Sequence, residues 1–120
     1  MGKICIGSVI KVTIDADGFT DNYLSDEAVD VKAVFYGSND PSKNVIIPKS
    51  KMVIEGEEAS SNQLYFAVDT EGLDTGVLNA EILIEYPIDG IATKLKQRTV
   101  VTPLDVDGSK ILLIESVINS

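Results

Sequence analysis

The chain has 120 residues, 44 % of them apolar, and a chain of this length can bury a core without a metal or a disulfide. Its net charge of −9, with no histidine, argues against a nucleic-acid ligand, because binding a phosphate backbone requires clustered lysine and arginine. No apolar run approaches the roughly 20 residues of a membrane span, and the first residues do not resemble a signal peptide. The sequence therefore predicts a single domain over residues 1–120 that is made in a cytoplasm, stays soluble there and has no membrane partner.

Two early segments alternate apolar and polar residues, which predicts strands with one solvated face. Their apolar positions are Ile10, Val12 and Ile14 in the first and Val29, Val31, Ala33 and Phe35 in the second. Residues 15–27, between these segments, are polar and acidic and predict a long loop. A short run at residues 45–47 stops at Pro48, which cannot donate a ladder hydrogen bond, so this run predicts an edge strand.

The clearest strand pattern lies in the middle of the chain, in two runs at residues 63–69 and 77–86. The turn between them contains two glycines and two acidic residues, which is typical of a short loop with positive φ, and the two runs are expected to form a hairpin. Period-two alternation predicts that seven residues of these runs lie in the core. They are Leu64, Phe66, Val68, Leu78, Ala80, Ile82 and Ile84.

The last run, residues 110–118, is apolar on both of its alternating faces. One face would carry Ile111, Leu113 and Val117, and the other would carry Leu112, Ile114 and Ile118. A strand that is apolar on both faces is either central in a sandwich or in contact with a partner. We therefore take the second face, with Leu112, Ile114 and Ile118, as a candidate protein interface.

About seven to eight short strands, with turn signals about every 8 to 12 residues, predict an all-β fold of the antiparallel β-sandwich type. The Cys-Trp-Cys core of antibody domains is absent, because the chain has one cysteine and no tryptophan. The prediction is therefore Ig-like in the broad sense only.

Candidate chemical sites are weak. Two Asp-Xaa-Asp-Gly motifs, at residues 15–18 and 105–108, fit turns better than calcium loops, because neither supplies the further ligands of an EF-hand. Glu81 and Glu85 share a strand face, as alternation produces automatically on a solvated face. Cys5, between two isoleucines, is expected to be a small buried hydrophobe. With no histidine and no phosphate-binding loop, the sequence predicts no enzyme, no cofactor and no metal.

Two further sets of residues are candidate binding surfaces. The basic cluster of Lys94, Lys96 and Arg98 has no interleaved aromatic residue and is interpreted as a solvated strand face rather than a nucleic-acid site. The four tyrosines could line a sugar-binding face, but without tryptophan such a platform would be weak, and most of them are expected in the core or at its rim. They are Tyr23, Tyr36, Tyr65 and Tyr86.

One stretch resembles a known family. Val68-Asp69-Thr70, followed by Leu73, Gly76-Val77-Leu78 and Tyr86-Pro87, is similar to a hairpin in small domains of tailed-phage virion proteins. These domains occur in phages and prophages of gut Bacteroidetes and are similar to the N-terminal domain of phage baseplate upper proteins. Residues 7–12 and 31–36 also fit, so the resemblance covers residues 7–114.

The resemblance implies a non-enzymatic Ig-like module that assembles onto a virion and contacts capsid, fibre or baseplate proteins. Because no fibre or receptor-binding region follows Ser120, a capsid-decoration or head-fibre adaptor role is expected beside a baseplate one. High local copy number in a particle makes a homo-oligomer the expected state. The alternative function is a carbohydrate-binding module for host surface glycans.

Overall fold

The computed structural model describes residues 2–15, 29–52, 63–87, 90, 92–93, 95–105 and 107–117. Within them the fold is all-β, as predicted, with one short 3-10 turn at Lys49–Lys51 and no α-helix. The strands are β1 (Gly2–Cys5), β2 (Val9–Asp15), β3 (Asp30–Gly37), β4 (Asn44–Pro48), β5 (Gln63–Asp69), β6 (Gly76–Tyr86), β7 (Leu95–Val101) and β8 (Ile111–Ile114). The predicted loop at residues 15–27 lies outside the described residues, apart from Asp15, which ends β2.

The strands form a six-stranded sheet and a two-stranded sheet. In the larger sheet the order is β1-β8-β6-β3-β4, and β7 also pairs with β6. The central strand β6 pairs with β3 along one edge, and its other edge is divided between β8 at residues 76–77 and β7 at residues 80–86. The smaller sheet is the pair β2–β5. The short strand β4 ends the larger sheet, which confirms the edge position predicted from Pro48.

The expectation of a purely antiparallel sheet is wrong at one pair. β1 and β8 run parallel, with Gly2 beside Ile111 and Cys5 beside Ile114. The parallel pair is possible because β1 and β8 are far apart in the chain, so no tight turn has to join them. All the other strand pairs in the described residues are antiparallel.

The two sheets share one hydrophobic core, as in a β-sandwich. Phe35 of β3 meets Phe66 of β5 edge-to-face, with ring centroids 5.2 Å apart, so the inner faces of both sheets contact each other there. All but one of the inward positions predicted from alternation whose side chains are described are buried: Val12, Ile14, Val29, Val31, Ala33, Phe35, Phe66, Val68, Leu78, Ala80, Ile82 and Ile84. Ile10 is the exception and is partly buried against the same cluster. The side chain of Leu64 in β5 is not among those that the structure describes.

The predicted hairpin between β5 and β6 is not formed. β5 pairs with β2 in the smaller sheet, whereas β6 pairs with β3, β7 and β8 in the larger one. Residues 70–75 therefore carry the chain from one sheet to the other, as an arch over the end of the core. A hairpin and an arch between sheets both need a glycine-containing turn, so the turn residues alone could not distinguish a hairpin from an arch.

Candidate protein-interaction surface

The corner between β1 and β2 is fixed by Thr70, the one buried polar side chain in the described part of the chain. Its hydroxyl accepts a hydrogen bond from the backbone N–H of Gly7 at 3.0 Å and donates one to the carbonyl oxygen of Ser8 at 2.7 Å. The Thr70 backbone N–H donates a second hydrogen bond to the Ser8 carbonyl oxygen, at 3.0 Å. This residue, which belongs to the motif behind the family resemblance, thus ties the start of the arch to the turn at residues 7–8.

The far end of the arch packs closely against the turn that follows β3. Gly76 has φ +110°, and a Cβ there would overlap the hydroxyl oxygen of Ser38. Gly37 is equally constrained, because a Cβ would overlap the carbonyl oxygen of Asp74. Ser38 donates its N–H to the Val77 carbonyl and accepts the Val77 N–H at its hydroxyl, both at 3.0 Å. These contacts set where β6 begins and therefore where β8 can pair with it.

Two of the three predicted interface residues lie in β8 and share its outer face. Ile111 and Leu113 point into the core and are almost fully buried, so Leu112 and Ile114 point away from it and are half-buried. Ile118, the third predicted residue, lies outside the described residues. The structure thus brings Leu112 and Ile114 together on one surface.

Two neighbouring strands extend this apolar surface. Val77 of β6 pairs with Leu112, and Cys5 of β1 pairs with Ile114. Partners in register point to the same side of a sheet. We call the set Cys5, Val77, Leu112 and Ile114 the β8 patch.

Cys5 corrects one expectation and extends the site. It was predicted to be buried between Ile4 and Ile6, but the thiol residue is exposed, while both isoleucines are partly buried against the core. The period of two in Ile4-Cys5-Ile6 was the signal, because it places the middle residue on the opposite face of a strand. Val77 was missed for a different reason: it began the predicted run at residues 77–86, so no preceding residue of that run showed which face it lies on.

Beside the β8 patch lies an open groove of about 480 Å³, at the end where β1 turns into β2. Its lining includes Cys5, Ile6, the turn residues Gly7 and Ser8, Glu71 of the arch, and Ser116 and Val117. Val117 was predicted to share one strand face with Ile111 and Leu113, which is wrong: β8 ends at Ile114, and Val117 is 95 % exposed. An exposed valine beside half-buried apolar residues is typical of a contact surface rather than of a closed core.

The tyrosines do not form a common platform. Tyr36 lies on the outer face of β3, opposite the buried Phe35, whereas Tyr65 lies on the outer face of β5, opposite the buried Phe66. They are therefore on opposite sides of the molecule. Tyr86 packs against the core, and the ammonium group of Lys11 lies 5.0 Å from the ring centre of Tyr65. Tyr23 is outside the described residues.

The acidic groups belong to turns and to a solvated strand face. In the second Asp-Xaa-Asp-Gly motif, the Gly108 N–H bonds to the Asp105 carbonyl at 2.9 Å, and Gly108 has φ +85°, which confirms a turn there. The Ser109 N–H donates to the Asp107 carboxylate and holds its pKa below the ordinary value. No group of three or more potential metal ligands is clustered in the described ranges. In the first motif, all but Asp15 lies outside these ranges.

A similar turn carboxylate occurs at Asp40. It accepts hydrogen bonds from the hydroxyl and the N–H of Ser42, at 2.6 and 3.1 Å, and the hydroxyl contributes most to lowering its pKa. Asp107 is exposed and Asp40 is half-buried, and the hydrogen bonds of both carboxylates lie within their own turns, so they stabilise local turns rather than form a reactive site. On β6, the Glu81 carboxylate forms a long ion pair with the Arg98 guanidinium, with 3.9 Å between oxygen and nitrogen.

Comparisons with protein-family models, curated proteins and solved structures each gave no match. Among the described residues, no helix is long and apolar enough to cross a membrane. The surface that remains as a functional candidate is the β8 patch with its adjoining groove.

Proposed function

We propose that this chain is a non-enzymatic, Ig-like structural module of a bacteriophage virion, attached to a capsid, fibre or baseplate protein through the β8 patch. The observation that carries the proposal is the two-sided apolar character of β8. One face completes the core with Ile111 and Leu113, while the other presents Leu112 and Ile114 beside an open groove. Surfaces of this kind mark protein contacts in soluble domains.

The strand pairing supports the Ig-like part of the proposal. In Ig-like sandwiches strand B pairs with E in one sheet, and C, F and G form the other, with C′ beside C in variable-type domains. Here β2 pairs with β5, as B does with E, and β4-β3-β6 follows the order C′-C-F. β7 and β8 together occupy the edge of β6 that strand G would take.

The residues behind the family resemblance support a shared fold rather than shared chemistry. Val68 and Leu78 lie in the core, Leu73 is buried in the arch, Thr70 ties the corner, and Gly76 adopts a positive φ. None of these roles requires a ligand. A resemblance that rests on residues with structural roles of this kind points to a shared fold. The function must then be sought in the surfaces that the fold presents.

The proposal is tested by particle fractionation. Lysates of cells that produce the phage are separated on a density gradient, and the chain is quantified in the particle band by mass spectrometry. We expect it at a fixed ratio to the capsid protein, in several copies, since virions place identical subunits at symmetric positions. Absence from the particle band would refute the virion role, and specific retention on a glycan array would then favour the carbohydrate-binding alternative.

A variant tests the surface. Leu112→Lys with Ile114→Lys is expected to reduce particle incorporation or oligomer formation more than it reduces folding, because two charges would have to be buried in the contact. The matched control is Val9→Lys with Ala67→Lys, two exposed positions on the outer face of the β2–β5 sheet. If the β8 double variant is folded and assembles as the control does, the patch is not the contact.

A further inference from the structure

The outer edge of β7 has no partner strand among the strands that the structure describes. β7 has seven residues and pairs only with β6, and no other strand of the described chain lies along its second edge. Its first six residues are exposed, although both faces carry apolar positions. By contrast the edge strand β4 ends in Pro48, and β1 has four residues. β7 is therefore the longest open edge of the larger sheet.

The register identifies which backbone groups face outward from this edge. Val77 exchanges its hydrogen bonds with Ser38, on the side of β3. The N–H and C=O groups of successive residues point to opposite edges of a strand, so in β6 the odd-numbered residues bond toward β3 and the even-numbered ones toward β7. The residues of β7 opposite these even-numbered residues are Leu95, Gln97, Thr99 and Val101. The N–H and C=O groups of Lys96, Arg98 and Val100 consequently point to the open edge.

The side chains along this edge are basic, in a chain of net charge −9. Leu95–Val101 contains Lys96 and Arg98 and no acidic residue. The Arg98 side chain is 67 % exposed, and its 3.9 Å contact with Glu81 is long for an ion pair. A basic edge with an exposed hydrophobe, Val100, matches an extended segment that carries acidic residues between apolar ones.

We propose that the open edge of β7 binds an extended acidic segment of another protein by β-augmentation. The backbone N–H and C=O groups of Lys96, Arg98 and Val100 form hydrogen bonds with the added strand. The side chains of Lys96 and Arg98 favour a partner that places carboxylates opposite them. The full-length antiparallel pairing with a second β7 is disfavoured, because Arg98 would face Arg98 of the other copy, and like charges directly opposite oppose pairing. This surface is distinct from the β8 patch and does not depend on the virion role.

The test uses a blocked seven-residue peptide in which glutamate alternates with threonine and valine, added to the full chain and followed by amide NMR. On binding, the N–H groups of Lys96, Arg98 and Val100 should become protected from exchange. Those of Gln97 and Thr99, which already face β6, should change little. A peptide with lysine in place of glutamate should bind at least about tenfold more weakly, because each cross-strand charge pair changes sign.

Variants separate charge from backbone pairing. Lys96→Glu with Arg98→Glu should weaken binding by about tenfold, the effect of two reversed cross-strand pairs. Lys43→Glu with Lys110→Glu, at exposed positions outside β7, changes the net charge equally and should leave binding unchanged.

Val100→Pro removes one outward N–H without touching the ladder to β6, so it should abolish protection while the fold persists by circular dichroism. Equal binding by the Lys96 and Arg98 double variant, or tighter binding of a single-stranded oligonucleotide than of the acidic peptide, would overturn the proposal.

Discussion

Replacing Thr70 with valine tests the corner that joins the two sheets. Thr70 is fully buried, and its hydroxyl bonds to Gly7 at 3.0 Å and to Ser8 at 2.7 Å. Valine has nearly the same shape but removes the hydroxyl, which leaves the Gly7 N–H without its acceptor. The Ser8 carbonyl loses less, because the Thr70 N–H still donates to it.

The magnitude follows from the two hydrogen bonds of the hydroxyl. Each contributes about 0.5–1.5 kcal/mol net, so Thr70→Val should lower the free energy of unfolding by about 1–3 kcal/mol. Thr70→Ser keeps both hydrogen bonds and loses one methyl group, which costs about 0.8 kcal/mol. The serine variant should therefore be the more stable of the two, although it leaves the larger void.

Urea unfolding followed by circular dichroism measures both variants, and Thr99→Val at an exposed position of β7 provides the control, with a change within about 0.5 kcal/mol. Amide exchange at Gly7 should accelerate in Thr70→Val and remain slow in Thr70→Ser. If the valine variant is as stable as the parent chain, or more stable than the serine variant, the hydroxyl does not hold the corner and the reasoning is refuted.

Further predictions concern the core, the arch and one turn. Ile82→Ala should cost about 2–5 kcal/mol in urea unfolding, since Ile82 is buried in the middle of β6. Gly76→Ala should cost about 1–3 kcal/mol and more than Gly72→Ala, because both glycines have positive φ but a Cβ meets a neighbour only at Gly76. Ser42→Ala should raise the pKa of Asp40 toward the ordinary value of an aspartate in a carbon-13 carboxyl titration, because the Ser42 hydroxyl contributes most to lowering it. Because the folded-state pKa is lowered, this carboxylate stabilises the fold above its unfolded pKa and ceases to do so as the pH falls through the folded pKa; an unchanged titration would contradict the hydrogen bond.

Alternation predicted which side chains are buried but not which strands pair. Val31, Ala33 and Phe35 were assigned correctly because a strand with one apolar face has only one way to turn that face inward. The partner of a strand depends on backbone hydrogen bonds, which every sequence offers equally. The arch at residues 70–75 shows this, since neighbours in the chain were expected to pair and instead belong to different sheets.

The candidate interface was predictable only as far as the strand itself extends. Leu112 and Ile114 lie on the outer face as their spacing required, but the period was projected to Val117, beyond the end of β8 at Ile114. An alternating pattern in the sequence has structural meaning only where the backbone is extended. The parallel pairing of β1, which adds Cys5 to the patch, joins segments about a hundred residues apart and leaves no local signal.

The division of one sheet edge between β7 and β8 separates the two proposed contact surfaces. Between these strands the chain leaves the sheet, and Leu104 exchanges hydrogen bonds of 2.8 and 2.9 Å with Thr13 of β2. Leu112 pairs with β6 at residue 77, and Arg98 pairs with it at residue 83, six residues further along. At about 3.3 Å per residue, the apolar and basic surfaces are centred roughly 20 Å apart. If both proposals hold, that separation is wide enough for the β8 patch and the β7 edge to be occupied together, the first by an apolar contact and the second by an added acidic strand.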